Sequence, residues 1–341
     1  MGEHVKVVAV ADPRPGAGES VAAAVASWSP GTTVYRDIGD MLEHEQLDGV
    51  FDLTPAPLHG AVNRAILDAG VACYSEKPIA SSIPEADGLI ALGGERKVLL
   101  LCAPGTAVTE RFRWLKELVE SGRLGRPTLA AAHHADAGPA AWREYTGDPT
   151  PFYREGVGPV FDHGIYRLHE MTMVLGPVRR VQAMGSIAVP RRRVKGGPLK
   201  GQTIEVTTPD HVLIHLEFAS GALGQLLASF GTLDTLAPWL ELHFSGGVVS
   251  FGGKSWEHDP PVSIYTDDES EEGLEGWSKD VDVPRDHGTT VESGARHFIR
   301  CLLGEEAPVL TAEHARHVLD IILKAYASIE DGQAHSTETT F

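Results

Sequence analysis

The first hundred residues alternate short apolar strands with helices, and few architectures accommodate that alternation. Val5–Ala11 is a valine-rich run of the kind found in strands buried on both faces. Thr32–Tyr35, Gly49–Thr54, Val71–Tyr74 and Lys97–Cys102 read as further strands. Between them, Glu19–Trp28 is Ala-rich and helical, and Ser29-Pro30-Gly31 stops it. Asp37–His44 is a short helix with an acid at its start. Leu58–Ala69 puts Leu58, Ala61, Val62, Ala65, Ile66 and Ala69 on one face and ends at Gly70. Pro84–Leu92 is the next helix. Strands alternating with helices imply parallel βαβ units and a doubly wound α/β sheet.

The pattern changes after Ala103-Pro104-Gly105. Glu110–Ser121 and Phe161–Leu175 read as helices, separated by a strand at 127–136 and a loop over 137–158 rich in Gly, Pro, Trp and Tyr. Strands follow at 178–187, 203–219, 222–231, 238–245 and 247–251, several joined by short turns, which predicts an antiparallel sheet. An acidic loop over 257–285 precedes two closing helices, Thr290–Leu303 and Thr311–Ile329. The expected division is a first domain over 1–104, a second α/β domain with a large, mostly antiparallel open sheet over 105–332, and a flexible tail over 333–341.

Charge and cysteine content exclude several functions. Asp+Glu 47 against Lys+Arg 29 gives −18, so the surface field repels nucleic acid and anionic membranes. The one basic run, Arg191-Arg192-Arg193 with Lys195, reads as a solvated loop. Cys73, Cys102 and Cys301 are odd in number and widely spaced, which fits a reducing compartment rather than a disulfide framework. No stretch approaches the ~18 apolar residues of a membrane span. The N-terminal apolar run is broken by Lys6 and lacks a cleavage site, so it does not read as a signal peptide. The expectation is a cytoplasmic protein with a small-molecule partner.

Asp12 follows the first strand, where an acid can receive the ribose hydroxyls of a dinucleotide or simply form an Asp-Pro turn with Pro13. An acid there favours NAD over NADP, while Arg14 is placed to accept a 2′-phosphate. Thr54-Pro55 after the third strand can wall a nicotinamide, or just start a helix; His59 lies nearby. Lys77, between Glu76 and Pro78 at a strand's carboxyl end, can hydrogen-bond a substrate oxygen or pair with Glu76 in solvent. Asp162 and Tyr166 share one helix face. They suit a carboxylate–phenol pair, or equally a helix cap and a core edge. His133, His134, Asp136, His163 and His169 have no strong metal-ligand spacing, so no metal is expected.

Taken in order, VVAVADP (7–13), Thr54-Pro55 with His59, SEKPIA (75–80), SGRLGRP (121–127), GPVFDHGIYRLHEMTMVLGPVRRV (158–181) and the stretch 297–326 resemble the glucose–fructose oxidoreductase / inositol dehydrogenase (Gfo/Idh/MocA) family. The resemblance implies a Rossmann-type domain, then an α/β domain whose open sheet forms a homo-dimer or tetramer. It implies hydride transfer between NAD, with NADP second, and a secondary alcohol or ketone of a sugar, polyol or related molecule. It makes Lys77, Asp162 and Tyr166 catalytic, with Tyr166 where many members have histidine. Asp12, Arg14, Thr54, Pro55, His59, Glu76 and Lys77 would hold the cofactor. Trp142, Arg143, Tyr153 and His163 would line the substrate pocket. The family's opening strand and G-x-G-x-x-G turn have no counterpart before Asp12, so either they are encoded upstream of Met1 or this chain lacks them. A non-redox binding or regulatory protein, and a lyase or hydrolase using tightly held NAD transiently, remain open alternatives.

Overall fold

The computed structural model describes residues 5–253, 261–267, 276–279 and 281–341. The chain forms two compact units: Met1–Val108 with Thr290–Arg316, and Thr109–Thr289 with His317–Phe341.

The first unit runs β1 (Ala9–Ala11), α1 (Ala17–Val25), β2 (Thr33–Tyr35), α2 (Ile38–His44), β3 (Gly49–Asp52), α3 (His59–Asp68), β4 (Ala72–Ser75), α4 (Ile83–Arg96) and β5 (Leu100–Cys102). Local chemistry sets the helix starts. Asp37 caps α2 by accepting from the backbone N–H groups of Gly39 and Asp40 at 2.7 and 3.3 Å. Ser82 does the same for α4 through Glu85. All strand pairs are parallel, as the alternation predicts, but they lie in two sheets, β1-β2 and β3-β4-β5, rather than one. The predicted Val5–Ala11 strand pairs only over Ala9–Ala11. Its valines are half-buried, and Phe51 on β3 is 38% exposed. The first strand, read as buried on both faces, is therefore only half-buried, whereas β4 and β5 are buried throughout.

The second unit begins with α5 (Glu110–Glu120), β6 (Pro127–Ala135), α6 (Ile165–Leu175), β7 (Val178–Ser186), β8 (Arg191–Arg193) and β9 (Thr203–Glu205). It continues through β10 (His211–Phe218), β11 (Leu223–Ser229), β12 (Leu240–Phe244), β13 (Gly247–Phe251), β14 (Val262–Thr266) and β15 (Gly276–Ser278). The closing elements are α7 (Thr290–Leu302), α8 (Ala312–Asp331) and β16 (His335–Ser336). Nine described strands form one sheet in the order β15-β14-β13-β12-β6-β11-β10-β7-β16. Only β6–β11 is parallel; the other pairs are antiparallel. Helix α6 lies against this sheet. Gly164, just before it, sits where an added Cβ would come within 3.2 Å of Ala228, so small residues let the helix backbone approach β11.

Four expectations need correction. The predicted strand 203–219 is two strands, because Asp210 stops the ladder to accept from the backbone N–H groups of Ala188 and Val189. Arg191–Arg193 is strand β8, not a free loop, and Arg192 makes a buried ion pair with Asp210 at 2.5 Å. The predicted acidic loop contains β14 and β15; its residues 257–260, 268–275 and 280 lie outside the described residues. The tail from 333 is tied down. β16 pairs with β7, and Asp320 accepts from the backbone N–H groups of Glu338 and Thr339 at 2.6 and 2.9 Å.

The domain boundary also moves. Residues 290–316 belong to the first unit because α7 inserts Phe298 against Phe51 and Tyr74, with ring centroids 5.2 and 5.7 Å apart. Gly294 faces Gly105 and Tyr74 so closely that a side chain would clash.

Candidate active site

The carboxyl edge of the first unit gathers most of the residues expected to meet a dinucleotide. Asp12 follows β1, and both of its carboxylate oxygens are engaged by the Arg14 guanidinium at 3.0 and 2.7 Å. That pairing lowers the Asp12 carboxyl to about 2. The turn from Asp12 into α1 has Gly16 as its N-cap with φ +82° and contains no G-x-G-x-x-G pattern. After β3, Thr54 donates both its backbone N–H and its hydroxyl to Asp52 Oδ1, at 2.9 and 2.6 Å. This fixes the exposed Pro55 turn. Asp52 itself is 2% exposed, and its Oδ2 has no hydrogen-bond partner.

His59 does not face a ligand directly. It is buried, with Nδ1 2.6 Å from the Pro78 carbonyl and Nε2 2.7 Å from the Thr54 carbonyl. It ties the Thr54-Pro55 turn to the Glu76-Lys77-Pro78 turn and so acts on the edge through both. Glu76 accepts from the Lys77 backbone N–H at 3.1 Å and its own N–H donates to the Asp52 carbonyl. Lys77 is half-buried at the end of β4. Acceptors for ribose hydroxyls, a rigid Pro turn, a cation and an unsatisfied buried carboxylate oxygen form a donor and acceptor set that suits a dinucleotide.

The second unit holds the other cluster. A π-helical turn, Val160–Gly164, leads into α6, a local distortion often found at functional positions. It carries Asp162 and His163, and Tyr166 follows one turn later, half-buried. His163 Nε2 lies 3.2 Å from Asp162 Oδ2. The His163 ring stacks on His134 at 4.1 Å and on Trp142 at 5.6 Å, and meets Phe230 edge-on. His134 reaches within 6.2 Å of the Tyr166 ring. His134 and Trp142 also line a cavity of about 550 Å³, with His133, Asp136, Asp234 and Trp239 among its other walls.

Behind this wall lies a buried ion pair. Arg167 Nη1 is 2.7 Å from Glu170 Oε2, and the guanidinium packs over Trp239 at 4.2 Å. Burial raises the Glu170 carboxyl to about 7, partly opposed by Arg167.

Of the residues expected to line the pocket, only Trp142 does; His163 is buried and stacks on it, and two others are elsewhere. Tyr153 is fully buried in a cluster with Ala140, Val194, Ile204, Val206 and Phe230, and its hydroxyl accepts from the Ala140 N–H. Burial pushes that phenol up to about 12. Arg143 is exposed and is not among the residues lining the cavity. Conversely, sequence reading gave no part to Trp239, and it set His134 and Asp136 aside as chance clustering. Their only signal was the density of His and Asp at the end of β6.

Comparison with known proteins gives the family of both units. A model described as the GFO/IDH/MocA C-terminal domain matches residues 112–250, and one described as an oxidoreductase family with an NAD-binding Rossmann fold matches residues 1–103. Myo-inositol 2-dehydrogenase of Thermotoga maritima is 23% identical over 305 residues, covering 89% of this chain and 84% of its own length. Levoglucosan dehydrogenase, solved with NADH and levoglucosan, superposes with a TM-score of 0.80 at 16% identity, over 98% of this chain and 91% of that one. The WlbA dehydrogenase of Bordetella pertussis, solved with NADH and UDP-GlcNAcA, gives 0.73 at 19% identity, over 98% and 91%.

Proposed function

Because the chain belongs to the GFO/IDH/MocA oxidoreductase family, with an NAD-binding Rossmann domain followed by a domain built on a large mixed sheet, we propose that it transfers hydride between NAD(P) and a secondary alcohol or ketone of a sugar or polyol. It is an NAD(P)-dependent dehydrogenase. The observation that carries the reading in this chain is the Asp162–His163–Tyr166 cluster, in which the His163 ring stacks on His134 and Trp142 of the cavity wall. Related proteins act on inositols and an anhydrosugar, and one holds an acidic nucleotide sugar, so fold alone leaves substrate charge undetermined.

Asp12, Thr54, Pro55 and Lys77 are the groups assigned to hold the dinucleotide, with Glu76 and His59 fixing the turns that present them. Asp12 can accept ribose hydroxyls once Arg14 shares or leaves its oxygens; Arg14 is then placed for a 2′-phosphate. When bound, the nicotinamide supplies the hydride acceptor or donor. The chain's own residues handle the proton. In oxidation the Tyr166 side chain, as phenolate, takes the hydroxyl proton as the C–H bond breaks and becomes the phenol; in reduction the phenol O–H donates to the carbonyl oxygen and returns to phenolate. Asp162, held against His163, orients the substrate hydroxyl. Lys77 is assigned its role within the first unit, at the carboxyl end of β4.

The open face of the nine-stranded sheet is assigned to self-association: Met184 is 75% exposed and pairs in register with Leu213, 45% exposed. No described helix is long and apolar enough to cross a membrane. Free thiols at Cys73, Cys102 and Cys301 favour a cytoplasmic setting.

Calorimetric titration with NAD and NADP, followed by absorbance assays with inositols and monosaccharides, tests the reading. Binding of one nucleotide together with substrate-dependent nicotinamide reduction is expected. Failure to bind either nucleotide overturns it, as does tight binding without net reduction for any sugar or polyol.

A further inference from the structure

Trp239 lines the cavity from a position just before β12, and its own polar handle does not fix it there. The sheet locks its backbone. The Trp239 backbone N–H donates to the Phe251 carbonyl at 3.0 Å, and its carbonyl accepts from the His133 N–H at 3.0 Å. Those bonds leave the side-chain torsions open. A buried indole is usually oriented by a hydrogen bond from its ring N–H. Here Nε1 is buried and has no hydrogen-bond partner among the described residues. The orientation of the ring therefore comes from packing.

Two groups supply that packing. The Arg167 guanidinium lies over the indole, 4.2 Å from the ring centroid, and Phe251 meets it at 5.1 Å with a 46° tilt. Arg167 is 4% exposed and is held by Glu170 one turn along α6. Their 2.7 Å contact is an ion pair outside hydrogen-bond geometry, and Arg167 Nε makes no hydrogen bond either. A buried pair of this kind is a poor source of stability, because apolar residues of the same volume often fold as well. Its planar cation has a use that an apolar residue lacks, since a guanidinium stacks flat on an indole. Helix α6 also carries Tyr166 and Arg167 at consecutive positions. One element thus sets the phenol and, through Arg167, the indole.

We propose that Trp239 is the surface on which the substrate rests, and that Arg167 is a positioning residue that fixes this indole without touching substrate. The proposal rests on the oxidoreductase reading only in placing substrate in this cavity. An indole held in one orientation meets the C–H face of a ligand at little further cost. An indole that rocks must be ordered again at each binding event.

Two variants test it. Arg167→Lys keeps a cation opposite Glu170 and removes the plane. The double variant Arg167→Met, Glu170→Leu removes both charges and strands neither. If one fails to fold, the other carries the test. Each is made with and without Trp239→Phe, so that subtraction isolates one of the six tryptophans. Acrylamide quenching and nanosecond anisotropy decay then report on that indole in the full chain, with no substrate present. The Trp239 quenching constant should rise by about twofold or more, and its anisotropy decay should gain a fast component. Kinetics follow with the sugar or polyol that the wild type turns over. KM should rise by at least about fivefold with kcat within about twofold, as when binding shared by ground and transition states is lost. An ion pair that serves stability alone would be rescued by lysine and would leave KM unchanged. An indole as fixed in the variants as in wild type overturns the proposal, and so does a mobile indole with unchanged KM. Absence of nicotinamide reduction with every sugar and polyol fails the oxidoreductase reading instead. The fluorescence result then decides by itself whether Arg167 fixes Trp239.

Discussion

The His163 imidazole lies flat between His134 and Trp142, with interplanar angles of 21° and 15°. One buried ring thus joins the carboxylate at Asp162 to an indole wall of the cavity. A flat stack fixes the ring's tilt, and the Nε2 contact fixes its rotation, so Asp162 is held without using the substrate.

Replacing His163 with leucine keeps apolar volume but removes the Asp162 contact. The expected outcome is a rise in KM with a fall in kcat of about tenfold or more, because Asp162 gains rotamers. Steady-state kinetics check this, with circular dichroism confirming that the fold is retained. Unchanged kinetics would remove His163 from the site.

Asp12→Ala leaves Arg14 without its carboxylate partner. NAD affinity should fall and the NADP-to-NAD preference should rise by roughly tenfold, about 1.4 kcal/mol. Paired titrations with the two nucleotides measure the ratio. A ratio that stays constant would show that Asp12 serves only the turn.

The Glu170 carboxyl has a folded-state value near 7 against an ordinary value of 4.5, caused first by burial. Between those values the folded chain holds the proton that the unfolded chain has released. Its contribution to stability is therefore present below pH 4.5 and is lost as pH rises through about 7. Measured against Glu170→Gln, which does not titrate there, the wild-type unfolding free energy should decline over that window, on the order of 2–3 kcal/mol. Denaturant titrations across pH decide the point; a difference that rises with pH would contradict the sign.

Asp320 is 1% exposed, and its Oδ2 accepts from two backbone N–H groups and the Thr339 hydroxyl. Asp320→Ala should cost about 2 kcal/mol and speed proteolysis after β16, since two backbone N–H groups and the Thr339 hydroxyl lose their shared acceptor. A tail that remains equally protected would contradict this.

Much of the architecture was legible because it is written locally. The period of the apolar residues gives βαβ alternation in the first unit, and Asp37 and Ser82 mark helix starts. Lys77 and the Asp162–Tyr166 spacing stood out because a motif and a helical turn place them. What was hidden depends on distant pairing. Trp239 reaches the end of β6 only because β12 pairs with β6 about a hundred residues later. The return of α7 to the first unit follows from Phe298 finding Phe51 and Tyr74, which no local pattern announces. Tyr153 looked like a pocket residue because it sits in a Gly- and Pro-rich loop, but a ring with one hydrogen-bonded hydroxyl also satisfies a core. The split of the parallel strands into two sheets was equally invisible, since apolar runs report burial and not partners.

The central claim is that Tyr166 moves the substrate proton in a nicotinamide-dependent oxidation or reduction. The most direct measurement compares wild type with Tyr166→Phe for nucleotide affinity and for hydride transfer under the same conditions. The account predicts that nucleotide binding is unchanged within about twofold, while turnover falls by roughly two or more orders of magnitude. Equal turnover in the two proteins would contradict it.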